Sequence, residues 1–327
     1  MDFGHSETDK RLKKLEKRLT REYKSALRSS KAKLKDHMKR FEAADKEKIR
    51  MLKAGNITKD DYLEWRQGKM MTGERWKNFI QVLATDMSNA NKIAIDILNG
   101  FLPDTYALNV NYGTYEIESA LAINTNFVLY DRDTVINLLR RNPKIIPKAS
   151  LDIPRDQRWN RRKLTSAIMQ GVLSGDSIDG IADRLQSVSN MNRNAAVRNA
   201  RTYTTAAENK GRIDSYKRAK KLGIDIKQQW KAVHDERTRT SHRYLDGEIV
   251  KVGAKFSNKC KYPGDPDCKN PAEIYNCRCT LVAVDPLFEA EDEEKRKYET
   301  YPKGMTYKEW LAAKPKPKKK KKAEKKT

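Results

Sequence analysis

The sequence predicts an α+β protein: an all-helical N-terminal part, then a domain of helices plus a small, mostly antiparallel sheet, then a disordered basic tail. Three observations carry this. Across most of the first 222 residues, apolar side chains recur about every 3.6 positions. After Gly223 the period falls to two, with Ile226, Gln228, Trp230 and Ala232 alternating with polar or charged residues. Residues 314–327 hold nine Lys, one Glu and no apolar side chain larger than Ala or Pro, so they cannot bury a core.

In the N-terminal part, Leu12, Leu15, Leu19, Tyr23, Leu27, Leu34, Met38, Phe41, Ile49 and Leu52 make one apolar stripe among Lys and Arg. That spacing predicts one long amphipathic helix, or two, ending near Ala54-Gly55-Asn56. Thr58 with Asp61 three residues on is a capping-box start for a short helix through Tyr62, Leu63 and Trp65. A second start follows at Thr72, opening a helix through Trp76, Ile80, Leu83, Met87, Ile97 and Phe101. It is expected to stop at Asn99-Gly100 and Pro103. Short helices are expected over Tyr115–Ile123 and Asp131–Arg140, the second closed by Asn142-Pro143. Residues 1–148 therefore form the helical domain, and the proline-rich, aperiodic stretch from Lys144 to Arg155 sets a boundary before a second domain, 149–285.

In that second domain, Leu164, Ile168 and Val172 mark one helix and Ile178, Ile181 and Leu185 another, capped by Asp176 or Ser177. A third runs from Ala195 to about Leu222 and ends at Gly223. A strand follows through Trp230. Asp246-Gly247, between His242–Leu245 and Glu248–Val252, predicts a type I′ hairpin turn. Cys279–Val284 is a further strand, and 286–327 is read as a charged, Lys-rich disordered tail.

Among 327 residues, 38% are hydrophobic, enough to fill a core, while 69 Lys+Arg against 44 Asp+Glu leave a net charge of +25. That imbalance points to a polyanionic partner, nucleic acid first and anionic lipid second. It is uneven: residues 10–53 hold eighteen basic side chains against six acids. No stretch approaches the ~18 apolar residues of a membrane span, and the opening MDFGHSETDKRLKK has no apolar signal-like core, so synthesis in the cytoplasm is expected without membrane contact. In a reducing compartment the four cysteines, all between 260 and 279, suggest metal binding or free thiols before disulfides.

The unusual residues collect in two pieces. The first runs from Trp230 through His234, Asp235, Arg237, Thr238 and Arg239 to His242. The second runs from Tyr262-Pro263-Gly264 through Cys268 and Glu273 to Asn276-Cys277-Arg278-Cys279. Asp235, Arg237, Arg239 and His242 suit general acid/base work with anion binding, since His titrates near neutrality and Arg can fork onto phosphate. A salt-bridged turn that fixes the start of a hairpin needs the same residues, and no nucleophile or carboxylate pair completes a mechanism. No catalytic residue is therefore assigned.

Cys277 and Cys279 are two apart, so on a strand both thiols face one side. They could share a zinc ion with Cys260, Cys268, His234 or His242. The spacing is not the Cys-x2-Cys of fingers and ribbons, and buried cysteine is also an ordinary core residue, so zinc stands as an alternative to no cofactor at all. The tail lysines Lys314, Lys316, Lys318, Lys319, Lys320, Lys321, Lys322, Lys325 and Lys326 read as a DNA contact.

Together the pieces resemble the signature of phage Mu F-like head morphogenesis proteins. There a Trp strand leads into Asp-x-Arg-Thr-Arg-x-x-His, then Leu-Asp-Gly, a Pro-Gly loop and Asn-Cys-Arg-Cys. Here these are Trp230, Asp235 to His242, Leu245-Asp246-Gly247, Pro263-Gly264 and Asn276 to Cys279. Ala200-Arg201-Thr202 through Asn209, Gly211-Arg212 and Gly223-Ile224 resemble the family's preceding helix, so the likeness spans roughly 160–285. It implies a non-enzymatic minor head protein, present in few copies inside a tailed-phage head, at the portal and on packaged double-stranded DNA. It further implies a role in head assembly and genome delivery, with scaffold or major capsid protein as further partners. The rival reading is a metal-dependent nuclease using His234, Asp235 and His242 with a cysteine-held zinc. A nucleic-acid chaperone without a virion role is a third.

Overall fold

The computed structural model describes residues 2–284 and 305–317. The basic stripe at the N-terminus forms α1 (Phe3–Lys39) and α2 (Glu42–Lys53). Leu12, Leu15, Leu19, Tyr23, Leu27, Leu34 and Met38 are all buried, as the spacing requires, while Phe41, Ile49 and Leu52 are half-buried. α3 (Lys59–Met70) opens on the expected capping box, with Thr58 accepting from the Asp61 N–H and Asp61 reaching back to the Thr58 N–H.

The next helix does not stop where expected: α4 runs Gly73–Leu121 with Pro103 inside it and takes in the short helix foreseen near Tyr115. A proline in a helix removes one N–H and crowds the preceding turn. Here that turn finds other partners. Arg132 Nη1 donates to the Gly100 carbonyl at 2.7 Å, and the Asn99 side chain exchanges two 2.9 Å hydrogen bonds with the Ala149 backbone. α5 (Arg132–Arg141) starts on Asp131, which accepts from the Thr134 N–H.

α6 (Ile153–Leu173) and α7 (Ile178–Lys221) follow, and Ser177 Oγ caps α7 by accepting from the Gly180 N–H. The break expected before Ala195 is absent. The residues between Leu185 and Ala195 are helical as well: Asn192 is buried, donating to the Asn160 side chain (2.9 Å) and accepting from Asn91 (2.7 Å). Tertiary partners thus satisfy its buried amide.

The chain passes between two compact units after Ala149, beside the expected boundary, but neither unit is a single continuous segment. One compact unit comprises Leu15–Leu98 with Ser150–Val197, and the other Met1–Lys14, Asn99–Ala149 and Arg198–Thr327. The first is all helix. Leu34, Met38, Ile80, Leu83, Leu164, Ile168 and Leu185 are at its centre, and Arg66 is buried against Asp45 with Nε–Oδ1 at 3.0 Å. Part of its basic surface is neutralised internally: Lys31 meets Asp183 at 2.7 Å and Lys35 meets Asp179 at 2.5 Å.

The second unit contains the sheet. β1 (Lys227–Lys231) lies between β2 (Ile249–Lys251) and β3 (Thr280–Val284), antiparallel to both, with Trp230 opposite Leu281. The α+β expectation holds. The type I′ hairpin does not: His242 to Leu245 lie in the helix α8 (Thr240–Leu245). Asp246 (φ −60°, ψ 125°) and Gly247 (φ +86°) then form a type II turn, closed by the Glu248 N–H on the Leu245 carbonyl. Glycine is still required, because only the second turn residue takes the left-handed region. Gly247→Val is expected to cost about 1–2 kcal/mol, read as a lower urea midpoint for the full chain. An unchanged midpoint would contradict the turn.

The start of α1 belongs to this unit. Burial alone would depress the His5 pKa, but the Glu208 carboxylate, 2.7 Å away, outweighs it and raises the pKa to about 9. His5 is therefore bound as the cation. The stability it contributes is complete below its ordinary value near 6.5 and is lost as pH rises through about 9. His5→Gln should destabilise the protein on the order of 2–3 kcal/mol at pH 6 and hardly at all at pH 10. Equal losses at the two pH values would mean that packing, not charge, is what the imidazole supplies.

Part of the tail is ordered, contrary to its reading as disordered from 286 onward. α10 (Tyr307–Ala313) begins on a Thr306–Glu309 capping box, and Trp310 is buried with Nε1 donating to Glu118 at 2.6 Å. Lys314 is buried too, 2.8 Å from Glu118 Oε2 and over the Trp310 ring. It is thus a core ion pair and not a free DNA contact. Lys316 is exposed, and Lys318 to Lys326 lie outside the described residues.

Candidate metal centre and arginine-lined cavity

The site is built along one face of α7. Thr202 Oγ1 accepts from the Asn276 N–H (3.1 Å), and Thr205 Oγ1 donates to the Cys277 carbonyl (2.6 Å). Asn209 donates to the Cys279 carbonyl (3.1 Å) and accepts from the Leu281 N–H (2.8 Å), and Arg212 donates to the Leu281 carbonyl (2.7 Å). Positions three and four apart on a helix share a face, so four side chains hold the backbone from 276 to 281 along the helix. Two glycines permit close approach to this helix. A Cβ on Gly211 would stand 2.8 Å from the Tyr106 carbonyl. One on Gly264, already at φ +78°, would stand 2.9 Å from the Ala206 nitrogen.

The backbone so held points both thiols of Cys277 and Cys279 inward. α8 brings His242 to meet them, with Nδ1 3.3 Å from Cys279 Sγ and 3.6 Å from Cys277 Sγ. All three side chains are buried and their ligand atoms lie within 4.8 Å of one another. The far ring nitrogen, Nε2, is 3.0 Å from Glu273 Oε2, a charge contact without a well-aligned hydrogen bond. Glu273 lies in α9 (Pro271–Ile274) and is itself steadied by Ser241 and Asn258, each at 3.1 Å. The Trp230 ring stands edge-on to His242 at 5.5 Å. The two thiols differ: burial drives Cys277 well above its ordinary pKa, whereas the Cys277 thiol and then His242 hold Cys279 below it.

Asp235 is committed elsewhere. Both its oxygens accept from Arg278, at 2.5 and 2.6 Å, and this hydrogen bonding holds its carboxyl well below the usual carboxylate range. Oδ1 also accepts from the Arg237 N–H (3.0 Å) and the Thr238 hydroxyl (3.1 Å). Of the residues eligible for acid/base work, Asp235 and Arg237 thus form a salt-bridged turn with Arg278, while His242 faces the two thiols. Arg239 donates to the Tyr275 carbonyl. Around the cysteines a cavity of about 230 Å³ is lined by Arg201, Arg237, Thr238, Arg239 and Arg278 together with His242, Asn276, Cys277 and Cys279.

Of the metal ligands entertained from the sequence, His242, Cys277 and Cys279 come together. Cys260 and Cys268 do not join them, being disulfide-bonded to each other. The expectation of reduced thiols fails for that pair because the turn between them brings their Cα atoms to 4.8 Å. His234 is exposed and pairs with Asp246 at 2.9 Å. Sequence reasoning assigned no role to Glu273 or to the Thr202, Thr205, Asn209 and Arg212 face. The helical spacing of those four polar residues was the signal available.

Relatives bear on this domain directly. The profile of the family described as "Phage Mu protein F like protein" matches residues 162–282. Those residues are a phage Mu F-like domain. Their span takes in the α7 face, the sheet, the thiol–imidazole cluster and the disulfide. The minor head protein GP7 of Bacillus phage SPP1 is 27% identical over 279 residues, covering 82% of each chain. A protein of Enterococcus faecalis (strain ATCC 700802 / V583) named NAD(+)--arginine ADP-ribosyltransferase EFV is 29% identical over 215 residues. That match covers 62% of this chain and 43% of the relative, so the chain spans less than half of that protein. No solved structure matches significantly.

Proposed function

We propose that this Mu F-like protein is a minor head component of a tailed phage that joins the portal during head assembly, lies in few copies inside the head and contacts the packaged DNA. One observation carries the reading: the likeness to a minor head protein extends over 82% of both chains, beyond the Mu F-like domain into the helical unit. The charge of +25 supports a polyanionic partner within the head. The decisive experiment is mass spectrometry of purified virions and procapsids, beside co-purification with the portal protein encoded by the same genome. Recovery from both particles together with portal binding is expected, and absence from both would sink the proposal.

The arrangement speaks against a nuclease. His234 pairs with Asp246 and Asp235 is closed by Arg278, so the two residues that would act beside His242 are already engaged elsewhere. For the transferase-named relative, we assign the shared segment to the head-type module and the activity in its name to the rest of that protein. Purified chain should accordingly leave NAD+ and arginine side chains unchanged, and an ADP-ribosylated arginine in the reaction would overturn that assignment.

A further inference from the structure

We propose that His242, Cys277 and Cys279 hold a zinc ion whose fourth position opens on the arginine-lined cavity. The distances fit the metal. Zn–S bonds near 2.3 Å and Zn–N bonds near 2.0–2.1 Å at tetrahedral angles put sulfur and nitrogen about 3.6 Å apart. Here the two sulfurs stand 3.3 and 3.6 Å from Nδ1. Without a metal, neither contact gives the imidazole a strong partner, because a thiol is a poor donor and a poor acceptor.

The surroundings fit as well. A histidine ligand is ordinarily oriented by a carboxylate or carbonyl on its other ring nitrogen, and Glu273 Oε2 stands 3.0 Å from His242 Nε2. Ser241 and Asn258 fix that carboxylate in turn. The cysteine backbone is held from α7 by Thr205 and Asn209, so the ligands do not have to be gathered on binding. Two thiolates and a neutral imidazole around Zn2+ sum to zero charge, which a buried site tolerates.

The remaining cysteines are excluded by their own disulfide, leaving three protein ligands among the described residues. The fourth ligand is therefore a solvent molecule or an anion entering from the cavity, where Arg201, Arg237 and Arg239 also stand. Three protein ligands plus an exchangeable position is the pattern of open zinc sites, as distinct from closed four-ligand structural ones.

The test uses the full chain, purified without chelator or affinity metal. Elemental analysis should find close to one zinc per chain. Replacement by Co2+ should give a thiolate-to-cobalt charge-transfer band with the d–d bands of a tetrahedral ion. Cys279→Ser and His242→Ala should lose the metal, while a Cys260→Ser/Cys268→Ser double variant should keep it. Should the ligand variants fail to fold, Glu273→Gln preserves the shape of the partner and should weaken metal affinity by about 10–100-fold. A natively folded, metal-free chain with both thiols open to a thiol reagent, or a Cys277–Cys279 disulfide, would overturn the proposal.

Discussion

Replacing Arg212 with Met is expected to lower the stability of the full chain by about 3–5 kcal/mol, the cost of leaving buried partners of a removed charge uncompensated. Arg212 is fully buried. Its guanidinium forks onto Asp2, at 2.6 and 3.0 Å, and reaches the Leu281 carbonyl at 2.7 Å and the Asn109 side chain at 3.3 Å. The Tyr112 ring lies 5.0 Å from its central carbon. One side chain on α7 thereby satisfies the first residues of the chain, the middle of α4 and the edge strand β3. Methionine fills most of the volume and none of these bonds. Lysine keeps the charge but not the planar fork, so Arg212→Lys should recover only part of the loss. Urea unfolding of the three proteins is the measurement. A loss below about 1 kcal/mol for the methionine variant would mean that water replaces the guanidinium, and that the helix face does not organise the Mu F-like domain as argued.

The same residue illustrates what was legible beforehand. Gly211-Arg212 stood in the sequence as part of a family likeness, without a role, because its partners lie between 69 and 210 residues away. Local signals were reliable where the physics is local. The capping boxes at Thr58 and Thr306, and the strand alternation through Trp230, need only neighbours in sequence, and the Thr58 box and the strand were both read. They failed where distant partners decide. Pro103 would end an isolated helix, but here the turn before it is held by Arg132 on the Gly100 carbonyl and by the Asn99 side chain on the Ala149 backbone. α7 continues through the break expected before Ala195, where Asn91 and Asn160 satisfy the buried Asn192. At the site, the cysteines, His242 and the Asp235 turn were visible as a cluster of unusual residues. The pairing within it was not, since spacing alone leaves six possible pairs among four cysteines.

The tail carries the largest expected effect on DNA. Lys314 is spent on Glu118, and the Pro315 carbonyl accepts from the Leu129 N–H at 3.0 Å. The segment is thus anchored up to about residue 315, and a truncation meant to remove DNA contacts without disturbing α10 should begin at Lys318. Seven lysines follow it: Lys318, Lys319, Lys320, Lys321, Lys322, Lys325 and Lys326. Each that neutralises a phosphate contributes about 0.9 to the slope of log K against log salt, so deleting 318–327 should make that slope shallower by up to about 6. Binding should be indifferent to base sequence, because a run of lysines meets phosphates and not a fixed set of base edges. The exposed lysines of α1 limit the effect, since they would retain contacts of their own. Lys314→Met separates anchoring from binding: it should free α10 to proteolysis while leaving the salt slope unchanged. The experiment compares full-length, truncated and Lys314→Met proteins on two unrelated duplexes across a salt series. A slope indifferent to the truncation, or a preference above about tenfold between duplexes, would place the DNA contact on the folded units instead.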